Sequence, residues 1–343
     1  MISAPNRPLH IPPRPVHQVV VRPPIPPPVR RHPPVLQRPP VPQPLKHVRY
    51  DESAMTVCIA GICMDGKDPR ILFCSDRRIG TESAGGDVCL KWDHAGDGWM
   101  AMLSGTVAKA RSLAGACRKI LMDRTDDMGT ADIEAELTKV AHLQRRVLVE
   151  NYIQSQLSID YDYFLQHGHE QLPEVQYVDL AYAIRSIDLG CSLIIAGFVK
   201  VGPVIFTIGQ DGSVSRMEAF AAIGCGALAA EESLYRREYQ GHLPISQAAY
   251  YLYEAKRMSE VSGDVGKSTN IGIFGKSRPG FIRWKMLDPI ATAMLDGQYK
   301  RFGPQEYDGN QIQWVGLPFR IKEYQPALEA TTDDPQSPPA SQE

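Results

Sequence analysis

Proline is distributed so unevenly along this chain that it restricts where a fold can begin. The first 50 of the 343 residues hold 16 of the 28 prolines. Proline fixes φ and has no backbone N–H to donate, so this stretch is compatible with polyproline II structure but with neither helix nor sheet. We therefore interpret residues 1–55, called the head below, as a disordered tail, a removable propeptide or a ligand for a proline-binding module.

Charge divides the chain near the same point. Residues 1–50 hold eight Lys or Arg and no Asp or Glu, whereas the rest holds 29 basic and 39 acidic residues. An acidic body argues against broad nucleic-acid binding, and no stretch approaches the roughly 18 consecutive apolar residues that cross a bilayer. The seven cysteines are odd in number and include no Cys-x-x-Cys pair, which favours reduced core thiols. We expect a cytoplasmic protein with no nucleic-acid or membrane partner.

Strand and helix patterns begin abruptly at Thr56. In chain order they predict strands 56–64, 70–76, 88–92 and 99–103, helices 104–121 and 130–152, strands 193–201, 204–208 and 213–222, helices 227–239 and 245–259, and a strand at 269–274. The first two strands are predicted to form a hairpin, the next two to pair around a turn at 94–98, and a turn at 210–212 to join the strands 204–208 and 213–222. This order suits two antiparallel sheets covered on their outer faces by helices, an α+β fold of the four-layer αββα sandwich type. We assign this domain to residues 56–276 and treat residues 277–343 as a C-terminal extension that starts with a strand near 281–284 and ends in disorder.

The junction Met55-Thr56 is the most informative dipeptide of the chain, because removal of an initiator methionine exposes a small residue that follows it. A free N-terminal threonine carries its own base. Its hydroxyl is the nucleophile, and its α-amine, with an unperturbed pKa of about 7.7 to 8, accepts the hydroxyl proton at neutral pH. The alternative is an ordinary strand threonine, since β-branched residues favour strands.

Two charged residues favour the catalytic interpretation of Thr56. Asp76 ends the second predicted strand, and Lys91 lies in an apolar run where an unpaired ammonium is expensive to bury. We expect the two to pair near the start of strand one, so that Lys91 lowers the pKa of the Thr56 hydroxyl while Asp76 orients Lys91. Gly105, at the start of a helix, is a natural backbone N–H donor for an oxyanion. A surface salt bridge or a solvated strand end remains the alternative for the charged pair.

Five motifs together resemble, in order and in near-correct spacing, proteasome β-subunits and the bacterial HslV-type peptidase. The resemblance covers roughly residues 56–275 and rests on Thr56-Val57-Cys58-Ile59, Ser75-Asp76-Arg77, Lys91, Leu103-Ser104-Gly105-Thr106 and Ile223-Gly224-Cys225-Gly226. It implies the sandwich of N-terminal nucleophile hydrolases, with Thr56 as nucleophile, Asp76 and Lys91 as the activating charge pair, and Gly105 as the oxyanion donor.

The same resemblance extends to a loop near the end of the domain. Residues 262–270 look like the HslV-type segment whose carbonyls bind a monovalent cation such as Na⁺, and Gly263, Gly266 and Thr269 take the ligand positions. No other cofactor is implied.

The chain departs from the family pattern at two places that concern the nucleophile. Cys225 stands where proteasome subunits place a serine near the threonine amine. The head is the larger departure, because Thr56 has no free amine while Met55 precedes it. We interpret this as translation that starts at Met55 or as removal of the head by processing.

Two further motifs invite functions that their details do not favour. Gly266-Lys267-Ser268 lacks the glycine at position 261 that a phosphate-binding loop needs, because Val261 stands there. His167-Gly168-His169-Glu170 offers two histidines in a polar stretch without a further spaced ligand, which favours solvated side chains over a metal site.

The leading hypothesis is a threonine peptidase that hydrolyses unfolded polypeptide in a homo-oligomeric ring fed by a separate AAA+ ATPase unfoldase; the resemblance alone implies the ring. Two other hypotheses stay open. One is an N-terminal-nucleophile amidase that acts on small substrates. The other is a catalytically silent proteasome-like subunit whose uncut, proline-rich head binds partners.

Overall fold

The strand-rich start predicted at Thr56 is the first part of the chain that the computed structural model describes. The structure describes residues 56–81, 84–87, 90–96, 98–124, 128–276 and 282–304. All of them lie within one unit, Tyr50–Glu343. The head, with the expectations made for it, lies outside the described residues.

Twelve strands and seven helices occur in the described residues. In chain order they are β1 Cys58–Asp65, β2 Asp68–Asp76, β3 Arg78–Thr81, β4 Ala84–Asp87, β5 Trp92–Gly96, β6 Trp99–Gly105, α1 Val107–Arg124, α2 Thr130–Leu157, α3 Tyr161–Gln171, α4 Glu174–Ser186, β7 Cys191–Val199, β8 Gly202–Ile208, β9 Val214–Met217, β10 Phe220–Ile223, α5 Ala227–Arg236, α6 Ile245–Ser259, β11 Thr269–Lys276, β12 Ile282–Met286 and α7 Pro289–Phe302. No helix among these is long and apolar enough to cross a membrane.

The strands form two five-stranded sheets, which confirms the predicted α+β class. The first sheet has the order β10-β1-β2-β11-β12, the second has the order β5-β6-β7-β8-β9, and β3 pairs with β4. Every strand pairing in these sheets is antiparallel. The predicted first hairpin is confirmed: β1 pairs with β2 in a register that sets Cys58 opposite Ser75.

Apolar side chains form three clusters that explain how the sheets are buried. One cluster joins the two sheets and includes Phe73 and Met102. A second lies between the first sheet and helices α5, α6 and α7, and a third lies between the second sheet and helices α1 and α2. Ile71 belongs to the first cluster and its neighbour Leu72 to the second, because successive side chains of a strand point to opposite faces. Each sheet therefore buries one face against the other sheet and one against helices.

The second predicted hairpin is confirmed as a pair, because β5 pairs with β6, but the predicted bounds of its first strand are wrong. The strand expected at 88–92 instead starts at Trp92 and runs to Gly96, so that it covers part of the predicted turn. The apolar run was misleading because Leu90 is exposed and Lys91 turns inward to a charged partner. The position of β5 therefore depends on the ion pair of Lys91 with Asp76, and no local sequence pattern encodes that contact.

The strand predicted at 213–222 is also wrong, because it is two strands in different sheets. β9 pairs with β8 across the predicted turn at Asp211-Gly212, whereas β10 pairs with β1. The chain changes sheets at Glu218 and Ala219. No Gly, Pro, Asn or Asp stands between Ser213 and Ala222 to mark a turn, so the sequence does not reveal the new partner.

Three helices have no counterpart among the predicted elements. Helices α3 and α4 follow a longer α2 than expected, and His167 and His169 lie in α3 rather than in a loop. Helix α7 falls in the predicted C-terminal extension, after a strand that was expected there. Its Ala291 and Leu295 are buried in the cluster that covers the first sheet.

A buried ion pair links the two helices that cover the first sheet. Arg237, directly after α5, donates to both carboxylate oxygens of Glu254 in α6 at 2.8 and 2.7 Å, and their side chains are only 9% and 3% exposed. Removing one partner leaves the other charge buried without compensation. We expect Glu254→Gln to lower the free energy of unfolding by about 3–5 kcal/mol in urea titrations.

The matched control for this prediction is an exposed pair on the protein surface. Lys139 and Glu136 form an i, i+3 pair whose lysine is 71% exposed, and such pairs contribute little. Glu136→Gln should leave the urea midpoint almost unchanged. Equal effects of the two substitutions would contradict a structural role for the buried pair.

Candidate active site

Thr56 lies two residues before the start of β1, between the C-terminal ends of the neighbouring strands β2 and β10. The register of β1 with β2 carries on to Val57, whose carbonyl accepts a hydrogen bond from the Asp76 backbone N–H at 3.3 Å. On the other side, β10 ends at Ile223 opposite Cys58. The side chain of Thr56 is buried. Antiparallel pairing therefore brings Asp76 and the segment after β10 to the two sides of this threonine.

Glycine is required where the segment after β10 passes Thr56. Gly224 has φ of +99°, and a Cβ there would lie 2.4 Å from the carbonyl oxygen of Thr56. A residue with a side chain is both strained at this φ and too large for this approach. Two residues later, the Gly226 N–H donates to the same Thr56 carbonyl at 3.2 Å. The glycines thus fix the backbone of Thr56 in place.

The hydroxyl of Thr56 contacts both predicted charge partners. It donates to Asp76 Oδ1 at 2.8 Å and accepts a hydrogen bond from Lys91 Nζ. Lys91 Nζ also lies 2.8 Å from Asp76 Oδ1, and both charged side chains are buried. The structure thus joins the three side chains in one closed triangle, in which a cation lies against the oxygen that would become an alkoxide.

Asp76 is the centre of the hydrogen-bond network. Besides Thr56 and Lys91, its Oδ1 accepts from the Val57 N–H at 3.0 Å. Its Oδ2 accepts from the backbone N–H groups of Arg78 at 3.0 Å and Gly266 at 3.1 Å. A carboxylate that accepts several N–H bonds on both oxygens is held in one orientation.

Lys91 reaches the site because the backbone around it is tied to β6. Its carbonyl accepts from the Leu103 N–H at 2.8 Å, and the Leu103 carbonyl in turn lies 3.4 Å from the Cys58 thiol of β1. These contacts place the start of β5, the end of β6 and the start of β1 side by side. The second sheet thus supplies the cation and the first sheet the hydroxyl and the carboxylate.

Cys225 contacts the backbone of Thr56 on both sides of its Cα. The Thr56 N–H donates to Cys225 Sγ at 3.1 Å, and the thiol donates to the Thr56 carbonyl at 3.2 Å. Cys225 is exposed, but partial desolvation of its thiol beside Thr56 raises the pKa of that thiol, which favours the protonated form that the second bond requires. Cys225 therefore contacts both the backbone nitrogen and the backbone carbonyl of Thr56.

Gly105 ends β6, directly before helix α1. Its φ is +96°, and a Cβ there would lie 2.4 Å from Cys191 Cα in β7. Glycine is therefore required at this position on steric grounds. Its backbone lies two residues beyond the contact between Leu103 and Cys58, at the same end of the sheets as Thr56.

The loop for which the resemblance implies a cation is held by the protein's own charged side chains. Arg78 Nη1 donates to the Gly263 carbonyl at 3.0 Å, and Lys256 Nζ, which is buried, donates to the Lys267 carbonyl at 2.8 Å. Gly266 directs its N–H to Asp76, and Thr269 pairs with Asp76 in the sheet. Gly263 fits a cation site poorly, because a guanidinium already binds its carbonyl oxygen.

The two histidines of α3 lie near one carboxylate, that of Glu170. His169 Nε2 lies 3.6 Å from Glu170 Oε1 in an exposed pair. In the part of the chain that the structure describes, no group of three His, Cys, Asp or Glu side chains is placed to hold a metal ion.

Sequence analysis missed the backbone groups that orient the carboxylate and the threonine. The N–H of Gly266 reaches Asp76 across 190 positions of sequence, and no local pattern predicts such a contact. A signal did exist for Gly224 and Gly226, because glycines that flank a polar residue often mark a close approach of backbone. Searches of known protein families and of curated proteins each find no match for the chain.

Proposed function

We propose that this chain is a threonine-type endopeptidase in which Thr56 is an N-terminal nucleophile. The observation that carries the proposal is the buried triangle of the Thr56 hydroxyl, the Asp76 carboxylate and the Lys91 ammonium. A buried pair of lysine and aspartate contributes little to stability, because the cost of desolvation offsets the attraction between the charges. Its presence at Thr56 therefore supports a role in the reaction. Contact of the ammonium with a hydroxyl oxygen is the arrangement that stabilises an alkoxide.

The fold that we propose for this activity is the four-layer αββα sandwich of N-terminal nucleophile hydrolases. Two antiparallel sheets that share one apolar cluster, with further clusters under the flanking helices, support it. In this arrangement the nucleophile begins a strand at the edge of the shared cluster. Both sheets then contribute to a single site.

The reaction proceeds by acyl transfer once the bond between Met55 and Thr56 has been cut. The freed α-amine of Thr56, next to Cys225, accepts the proton of the Thr56 hydroxyl. Oγ1 attacks the carbonyl carbon of the substrate amide, and the oxyanion that forms accepts a hydrogen bond from the Gly105 N–H. The C–N bond breaks, the leaving amine takes the proton, and water then hydrolyses the ester that links the acyl group to Thr56.

Lys91 and Asp76 have separate roles in this scheme. The ammonium of Lys91 lies against Oγ1 and stabilises the negative charge that develops there. Asp76 compensates the charge of Lys91 in a buried site. Four further hydrogen bonds hold the Asp76 carboxylate in the orientation that contacts Lys91. No proton has to leave the site during the attack.

The remaining parts of the proposal concern the setting of the reaction. We propose a homo-oligomeric ring that hydrolyses unfolded polypeptide delivered by a separate AAA+ ATPase. We also propose a cytoplasmic location, since the described cysteines are free thiols and cytosolic thiols are kept reduced.

The proposed function is tested by supplying two kinds of substrate to the purified protein. Unfolded casein and a panel of small N-acyl amides are incubated with equal amounts of enzyme, and the products are identified by mass spectrometry. We expect internal cleavage of casein. Cleavage of small amides alone would favour the amidase, and cleavage of neither substrate by a chain that begins at Thr56 would favour the silent subunit.

The hydrogen bonds made by the loop at Gly263 lead to a prediction about how activity depends on Na⁺. Because Arg78 and Lys256 already bind carbonyls of this loop, the proposed reaction includes no step through Na⁺. Replacing NaCl by choline chloride at equal ionic strength should leave kcat/KM within about twofold, since Debye screening is unchanged. A large loss that Na⁺ restores would contradict this and would favour a cation bound at Gly263, Gly266 and Thr269.

A further inference from the structure

Helix α4 is the least buried helix of the described chain. Within the described residues, none of its 13 residues is buried. One side is anchored: Tyr177 stacks on Phe164 of α3 with ring centroids 5.4 Å apart, and Arg145 of α2 donates to the Ile184 and Ile187 carbonyls at its C-terminal end. A helix of this length is marginal in water and depends on packing for its stability.

The opposite side of α4 carries an apolar stripe. Val175, Val178 and Tyr182 are 69%, 42% and 67% exposed. Their spacing of i, i+3 and i+7 places them on one face of the helix, away from Tyr177. Three large apolar side chains on one exposed helical face form a patch of the kind that marks a protein interface.

The two ends of this stripe carry opposite charges, so the stripe is complementary to that of a second copy in antiparallel orientation. Glu174 is in the first turn and Arg185 is in the last turn, and both lie on the same flank of the apolar face. If two copies pack antiparallel about a point near Val178, Val175 of one lies over Tyr182 of the other. Glu174 of each copy then lies within one turn of Arg185 in its partner, and the helix dipoles oppose each other favourably.

We propose that α4 is a self-association surface, through which two copies of this chain pack antiparallel across a two-fold axis near Val178. Such an isologous contact uses the same patch twice, and the stripe with its terminal charges is self-complementary in this way. The proline-rich residues 1–50 of the head do not fit as well, because they hold basic residues and no acidic residue that could pair with Arg185. The proposal is independent of the peptidase activity.

The first test measures self-association of the full chain by sedimentation velocity over a range of concentrations. We expect the wild type to form a species of twice the mass of the Val178→Glu variant, whatever the size of the unit that pairs. Val201→Glu is the matched control, because Val201 is 85% exposed between β7 and β8, and it should behave as the wild type. Equal masses for the wild type and Val178→Glu at all concentrations would overturn the proposal.

A charge exchange then tests the antiparallel orientation. Glu174→Arg and Arg185→Glu should each weaken self-association by about tenfold, because each places like charges at both symmetric contacts. The double variant restores opposite charges and should regain most of the wild-type affinity. If the double variant self-associated as weakly as the single variants, the antiparallel arrangement would be overturned.

A chain that lacks residues 1–55 separates self-association from coverage by the head. We expect the same mass doubling with and without the head. If only the shortened chain doubled, and Val178→Glu abolished that doubling, the head would be the natural occupant of α4 and the proposal would be overturned.

Discussion

The Thr56→Ala variant is expected to lose hydrolysis of casein and of peptide amides, with kcat/KM lowered at least about 10³-fold. The substitution removes the hydroxyl that contacts both Asp76 and Lys91. It leaves the buried charge pair and the glycines around residue 56 in place, so the fold should persist. Circular dichroism and the urea midpoint check that it does.

Two further variants make the Thr56 prediction specific. Thr56→Ser keeps a hydroxyl and should retain measurable activity. Thr207→Ala removes the hydroxyl of a threonine in β8 of the second sheet, which donates to the Ser215 carbonyl at 3.5 Å, and should leave activity unchanged. If Thr56→Ala kept more than about a tenth of the wild-type kcat/KM, the nucleophile would have to be another group.

The second large effect is expected for Lys91→Met. This change removes the cation that lies against Thr56 Oγ1 and leaves the buried Asp76 carboxylate without its charged partner. We expect kcat to fall about 10²- to 10⁴-fold, as when a transition-state stabiliser is lost, with a smaller change in KM. Active-site titration of the folded fraction separates this effect from the destabilisation that follows the loss of a buried partner.

A double-mutant cycle tests whether Lys91 and Asp76 act as a unit. Asp76→Asn should lower kcat by a similar factor, and the double variant with Lys91→Met should lower it by much less than the product of the two. Lys139→Met, at an exposed lysine, is the control and should change nothing. Effects of the two single changes that simply multiply would contradict the shared network.

The Asp76–Lys91 pair was accessible from sequence because burying charge has so few solutions. A lysine within an apolar run needs a carboxylate, and Asp76 stands at the end of a strand that a clear turn pairs with β1. Antiparallel register then fixes Asp76 beside Thr56, as the contact of its N–H with Val57 shows. The turn between the first two strand patterns predicted the hairpin, and the order of strands and helices predicted the α+β class.

The remaining errors arise where tertiary partners decide. The exposed Leu90 and the inward Lys91 place β5 four residues later than its apolar pattern suggested. The run from 213 to 222 contains a change of sheet that no turn residue marks, because β9 and β10 pair with strands of different sheets. Helix α4 was missed because apolar residues occur on its anchored side as well as on its exposed side, so its sequence shows no single apolar face against a polar one.

Cys225 shows how far residue types alone define a site. Its motif marks the segment next to Thr56, but only the structure reveals that the thiol bonds both the nitrogen and the carbonyl of that residue. The Arg78 guanidinium on the Gly263 carbonyl is a second example, since no spacing rule joins a strand residue to a loop 185 positions away.

The most direct test of the central claim is the intact mass and N-terminal sequence of the active fraction purified from the natural source. The mechanism needs a free α-amine on Thr56, next to Cys225 Sγ. We predict that the chain in the active fraction begins at Thr56. An active fraction in which every chain retains Met55 would leave the Thr56 nitrogen acylated and would contradict the proposed N-terminal nucleophile.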